Sequence, residues 1–308
     1  MKSRQFIGII MALTAACFWG LSGTIGQYLF AQKGVDTTWL TAIRMIFAGL
    51  LLLTLAAAKY RPQLAGLFSR PRKVIRLVTF AVAGLMFCQY TYFTAIRYSN
   101  SATGTALQYL GQALILIVAC CQERRLPRLR EEIALVLAIG GVFLLATHGD
   151  PGNLALTPQG LFWGLISAVA LMLYTLLPGS LIEEYGSIPV IGSAMLLGGL
   201  ILGVTARVWE TPVTLDSGAL AGVIYIIVLG TAIPYTLYLQ SVCWIGGVKA
   251  SMFACVETVS AALATFFWLG TPLASMDWVA FGMILAMGLL LAWKGPASPP
   301  LKAAESSE

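Results

Sequence analysis

Apolar residues along this chain fall into long unbroken runs rather than into the two-residue alternation of strands or the one-sided stripe of a soluble helix. The runs lie at about 6–30, 38–58, 74–96, 100–121, 133–148, 160–182, 189–206, 218–240, 249–269 and 276–293, with boundaries good to roughly 2–4 residues. A helix needs roughly 20 mainly apolar residues to cross the hydrocarbon of a bilayer. The pattern therefore predicts an all-α integral membrane protein of ten transmembrane helices, the fifth being the shortest. Trp39, Tyr60, Tyr98, Trp209, Trp278 and Trp293 stand near the predicted ends, where amphipathic rings favour the headgroup layer.

Composition agrees. Hydrophobic residues make up 58% of the 308 and charged residues only 10%, so water is not the main solvent of this fold, and little chain is left for a soluble catalytic module. A net charge of +6 could suggest nucleic acid in a soluble protein. Here the basic residues sit mostly in short loops, which points to orientation instead. With the N-terminus inside, 15 Lys and Arg lie on the cytoplasmic side and three (Lys33, Arg97 and Arg207) outside, Arg44 being set apart within the second helix. The positive-inside rule then places both termini in the cytoplasm. The basic start at Lys2 and Arg4 precedes an apolar stretch too long for a signal peptide, so an uncleaved first helix is expected. Residues 295–308, rich in Pro, Ala and Ser, read as a disordered cytoplasmic tail. The six cysteines lack metal or redox spacing and read as buried small hydrophobes.

The two halves of the chain show weak similarity. Gly8 aligns with Gly160, Gly34 with Gly186, Gly49-Leu50 with Gly199-Leu200, Tyr92 with Tyr238, and the stretch from Gly141 with that from Gly288. Five helices per half force the second copy to enter from the opposite side, which predicts two inverted five-helix repeats.

Certain local motifs are more specific in combination. The second helix carries Arg44-Met45-Ile46-Phe47-Ala48-Gly49-Leu50; Ser99-Asn100-Ser101-Ala102-Thr103-Gly104-Thr105-Ala106 opens the fourth, and Glu123-Arg124-Arg125-Leu126 closes it. Gly246-Gly247-Val248-Lys249-Ala250-Ser251 is the counterpart in the second half, followed by Glu257. In these features the chain resembles tandem EamA domains of the drug/metabolite transporter superfamily, over 6–147 and 159–293. The family often has Pro in the middle of helices four and nine, where this chain has Gln112 and Thr258, and a Glu where it has Thr271. The resemblance implies a carrier of the cytoplasmic (inner) membrane that exports or exchanges small metabolites, commonly amino acids, through a cavity between the halves.

Glu257 is the residue that composition makes most informative, because a carboxylate at that depth costs about 2.5–3.5 kcal/mol on insertion scales and must be neutral, paired or in a wet cavity. It reads either as a hydrogen-bonded packing residue or as a group for substrate amine binding or proton coupling. Arg44 reads as an interfacial anchor that snorkels or a packing pair, as a partner of Glu257, or as a clamp for a substrate carboxylate. Trp19, Gln89, Tyr92, Gln108, Gln112, Trp163, Tyr174 and Tyr238 are unusual in spans that lipid alone would keep apolar; they fall, with Glu257, in helices one, three, four, six, eight and nine, which line the cavity in resembling proteins. Each could equally serve an interhelical hydrogen bond. Gly160, Gly164 and Ala168 permit close helix approach, within the chain or in a homodimer. His148 is too isolated for a metal site.

No G-x-x-x-x-G-K-[ST], H-E-x-x-H or G-x-S-x-G occurs, so no ATP-driven or hydrolytic mechanism is encoded, and no cofactor, metal or nucleic acid is implied. Secondary transport of a small molecule by alternating access is the expectation. Efflux of cationic drugs, and a membrane receptor or enzyme without transport, are the alternatives.

Overall fold

The computed structural model describes residues 2–292 except 151 and 153. Among the described residues ten long helices follow one another: α1 (Lys2–Gln32), α2 (Thr37–Lys59), α3 (Pro71–Tyr98), α4 (Ser101–Gln122), α5 (Leu129–Thr147), α6 (Pro158–Tyr185), α7 (Ser187–Thr205), α8 (Ser217–Ile245), α9 (Lys249–Phe267) and α10 (Ser275–Ala292). Among the described residues, nine are long and apolar enough to cross a membrane. The other is α5, which begins four residues before its predicted start and so takes Arg130, Glu131 and Glu132 into its first turn. Those three charges separate it from the rest. The tail predicted at 295–308, together with Trp293, lies outside the described residues.

The outer surface is what a bilayer requires. Phe47, Ile75, Val136, Ile139, Phe162 and Phe267 are all exposed, an apolar surface too extensive for a protein bathed in water. Two cysteines depart from expectation for this reason. Cys121 and Cys243 lie exposed on this outer surface, whereas Cys88, Cys120 and Cys255 are buried and Cys17 is half-buried.

Helix pairing follows one rule. α2 packs on α7 and α5 on α10; α1 packs on α8 and α9, and α6 packs likewise on α3 and α4. Exchanging the first five helices for the last five leaves these pairings unchanged. The α2–α7 seam shows it at atomic scale, because a side chain on Gly49 would lie 2.6 Å from the backbone N of Leu196, and one on Gly199 would lie 2.8 Å from that of Ile46. Each glycine thus meets the residue three positions before the other, the mark of a two-fold contact. Gly34 and Gly186, aligned by sequence, both adopt positive φ (65° and 79°) between the first two helices of their halves, a conformation that costs a residue with a Cβ.

Four helices are irregular at matching places. α3 widens to π geometry over Phe80–Met86 and α8 over Val228–Ala232. In α8 the cause is visible: Pro234 has no N–H to give the preceding turn, and the Thr231 hydroxyl takes up the Ile226 carbonyl at 2.7 Å. α4 and α9 are each broken, at Leu110 and Cys255, although neither has proline there. In α4 the break coincides with close approach to α6, since a Cβ on Gly111 would stand 2.7 Å from the Ala168 carbonyl.

Candidate functional site

The break in α9 produces the central feature. Thr258 N–H reaches back only three residues to the Cys255 carbonyl (3.2 Å), so the Ala254 carbonyl loses its usual helical partner. Tyr109, the last residue before the break in α4, fills the gap: its hydroxyl lies 2.9 Å from the Ala254 oxygen and 3.0 Å from Glu257 Oε2. One phenolic proton faces two acceptors. When Glu257 is protonated it can donate to the Tyr109 oxygen while Tyr109 donates to Ala254, and every group is satisfied. When Glu257 is ionised the two oxygens compete for that proton. Glu257 also occupies the first turn of the helical segment that follows the break, where unpaired N–H groups favour negative charge.

α1 lies directly against this segment. A Cβ on Gly20 would fall 2.7 Å from the Glu257 carbonyl and 2.8 Å from the Ala261 nitrogen, so only glycine permits the approach. Trp19, beside it, stands 5.4 Å ring to ring from both Tyr235 and Tyr238. The Tyr174 hydroxyl interacts with that of Tyr235, and its ring stacks on Phe80 in the widened turn of α3. Gln112 lies two residues past the α4 break and contacts Cys255 at the α9 break. Glu257, Trp19, Gln112, Tyr174 and Tyr238 are only partly enclosed.

Arg44 forms the other pole. It is buried, with 5% of its surface exposed; one Nη donates to Gln89 Oε1 at 2.7 Å, and the guanidinium lies 4.6 Å from the Phe93 ring centre. Two expectations are corrected. Arg44 does not snorkel to the interface, because α3 holds its head group inside the bundle, and it does not pair with Glu257, because no carboxylate lies within 4.0 Å of it among the described residues. Gln108 donates to Cys88 Sγ (3.6 Å), and the Tyr92 hydroxyl bonds with that of Thr105 (2.9 Å).

The structure thus gathers Glu257, Gln112, Trp19, Tyr238 and Tyr174 around α9 and its neighbours, and Gln89 around Arg44. Tyr92 and Gln108 tie α3 to α4. Trp163 packs edge-on against Tyr90 and the exposed Phe162, so its ring partners lie outside the predicted set. Tyr109, Tyr235 and Phe93 are members that sequence reasoning missed. Tyr109 could have been found, since it adjoins Gln108 and belongs to the same class of polar aromatic in an apolar run.

Other features are peripheral. A groove of about 620 Å³, lined by Leu50, Leu53, Ala57, Leu64, Phe68 and Leu196, opens on the outer flank away from both poles. Gly160 and Gly164 approach Tyr98 and Leu107 within the chain. His148 is paired: its Nε2 lies 2.9 Å from Asp277 Oδ1 and links the end of α5 to the start of α10. At the helix ends, Lys33 pairs with Asp216 and Lys73 with Glu184, both at 2.6 Å. Lys73 also contacts the Tyr185 hydroxyl. Among the described residues, no group of three His, Cys, Asp or Glu could hold a metal.

Comparison with known proteins agrees with this architecture. The EamA-like transporter family profile matches twice, over residues 6–147 and 158–293. The chain is 34% identical over 284 residues to the uncharacterized inner membrane transporter YicL of Salmonella typhimurium, covering 92% of this chain and 94% of that one. An uncharacterized transporter of Archaeoglobus fulgidus is 22% identical over 281 residues, covering 89% and 93%. A solved crystal structure superposes with a TM-score of 0.63 at 16% identity, covering 94% of this chain and 96% of that one, which shows a shared fold. With the profile spanning nearly the whole sequence and a relative above 30% identity along its length, this multi-pass membrane protein is a transporter of the EamA-like family.

Proposed function

We propose that the chain is a secondary carrier of the inner membrane that exports or exchanges small metabolites, amino acids or related compounds, by alternating access. In this reading residues 6–147 and 159–293 are two inverted five-helix halves, α5 is the tenth crossing, and both termini are cytoplasmic. The reciprocal pairing of helices and the paired glycines of the α2–α7 seam support the two-fold arrangement.

The observation that carries the proposal is the contact of Tyr109 with Ala254 and Glu257. It joins the breaks of α4 and α9, one from each half, through a carboxyl group whose protonation changes which bonds can form. Broken helices at the midplane are how carriers place free backbone groups and ionisable side chains next to cargo. A structural acid buried for packing alone would be costly. An acid that takes a proton or a substrate amine and then releases it repays that cost through coupling. The ring cluster of Trp19, Tyr235 and Tyr238 supplies apolar walls for the rest of the substrate.

The test is efflux from proteoliposomes loaded with a radiolabelled amino-acid mixture. The wild-type protein is expected to release label faster than empty liposomes, and to do so faster still under an inward proton gradient. Glu257→Gln is expected to insert normally and lose that acceleration. Wild-type release equal to that of empty liposomes would overturn the reading. Competition by a hydrophobic cation, with no competition among amino acids, would shift it to drug efflux.

A further inference from the structure

A guanidinium carries five N–H donors and stays charged at any physiological pH. In Arg44 one donor goes to Gln89, and the other four have no protein acceptor among the described residues; Nε is fully enclosed with nothing to bond. The Phe93 ring face offers partial compensation. The remaining neighbours, Tyr92, Tyr235 and Cys88, are neutral groups, and Glu257 acts only from beyond ion-pair distance. This is a buried cation with too few partners. Packing alone gives no reason for it, since an apolar residue of similar volume would be cheaper there.

We propose that Arg44 is the anion-binding pole of the substrate site and grips the substrate's carboxylate through two parallel hydrogen bonds, with Glu257 and Tyr109 as the opposite pole. The inference rests on the carrier reading given above. A planar, singly charged oxyanion matches the fork of donors and neutralises one cation. A phosphate dianion does not, because Arg44 would balance only half its charge. The two poles then explain the asymmetry of the site: cation in α2, acid in α9, and aromatic walls contributed by α1 and α8. A substrate that carries both a carboxylate and an amine would satisfy both.

The experiment is thermal unfolding of the purified full chain in detergent, titrated with acetate, benzoate and 3-phenylpropanoate against chloride at equal ionic strength. Wild-type protein is expected to be stabilised by the carboxylates, since a ligand that prefers the folded state raises its apparent stability. In Arg44→Gln the apparent affinity is expected to fall roughly tenfold or more, as for loss of a charge-assisted pair. Arg44→Lys should lie between, keeping charge but not the fork, and it carries the comparison if the glutamine variant is not recovered. Without ligand, Arg44→Gln should be at least as stable as wild type, which a packing role would not allow. Carboxylate shifts that are absent from wild type, or equal in all three proteins, would overturn the anion site and leave the carrier reading standing. Arg44-dependent binding without vesicle efflux would overturn the carrier reading instead.

Discussion

The seam between α2 and α7 and the junction between α4 and α9 are built on the same two-fold pattern, yet they have opposite characters. At the seam the symmetry reaches the side chains: Gly49 meets Leu196 as Gly199 meets Ile46, and the surroundings are apolar. At the junction the backbone repeats but the chemistry does not. Two residues beyond each break stands Gln112 in α4 and Glu257 in α9. One residue before each break stands Tyr109 in α4 and Ala254 in α9, and the first caps the carbonyl of the second. The difference teaches that the pairing of helices can match between the two halves of the chain while the side chains at the α4–α9 junction do not.

That comparison can be broken at several points. The largest effect is expected at the diverged junction, where Glu257→Gln should lower proton-driven efflux by more than tenfold while the protein remains folded, read by flux alongside circular dichroism. On the seam, Gly49→Leu and Gly199→Leu should cost stability by similar amounts, roughly 1–3 kcal/mol each for overpacking, measured by thermal unfolding in detergent. Clearly unequal costs would argue against the two-fold seam. Tyr109→Phe should cost about 1 kcal/mol, as for one buried hydrogen bond, and slow flux less than Glu257→Gln does, because the carboxyl itself remains.

The smallest effect is expected at the helix ends. Asp216 accepts from Lys33 and from the Ala219 N–H, which hold its carboxyl below the usual aspartate range. A carboxyl depressed in the folded state contributes stability above its unfolded value and loses it as pH falls through the folded one. Asp216→Asn should therefore flatten a slight acid-side fall in unfolding temperature, while an unchanged acid limb would show the pair to be idle. The groups are exposed to solvent, so the change should be small.

Much of the scaffold was legible from the order of residues. Long apolar runs gave the helices because hydrocarbon demands a length and tolerates few charges, and α5 was misjudged at its start because Arg130, Glu131 and Glu132 look like loop. Gly34 with Gly186 and Gly49 with Gly199 were readable as matching positions because glycine marks the first pair by positive φ and the second by lack of room for a Cβ. Glu257 stood out by its cost. The breaks in α4 and α9 were not readable, since proline is absent from both, and each coincides with a close approach, of α6 to α4 and of α1 to α9, that the order of residues does not show. The confinement of Arg44 was also hidden, because depth along one helix says nothing of which neighbour turns inward to meet it. Tyr109 was overlooked for a related reason. Its importance comes from a carbonyl freed 145 residues away.

The most direct test of the account is whether substrate and proton movement share Glu257. Proteoliposomes enclosing a pH-sensitive dye would receive an external amino-acid mixture, with wild-type and Glu257→Gln proteins compared at equal insertion. The account predicts a substrate-dependent change of internal pH in the wild type, abolished in the variant while its labelled-substrate binding persists in reduced form. The same pH change in both proteins, or labelled flux through the wild type with no pH change at all, would contradict it.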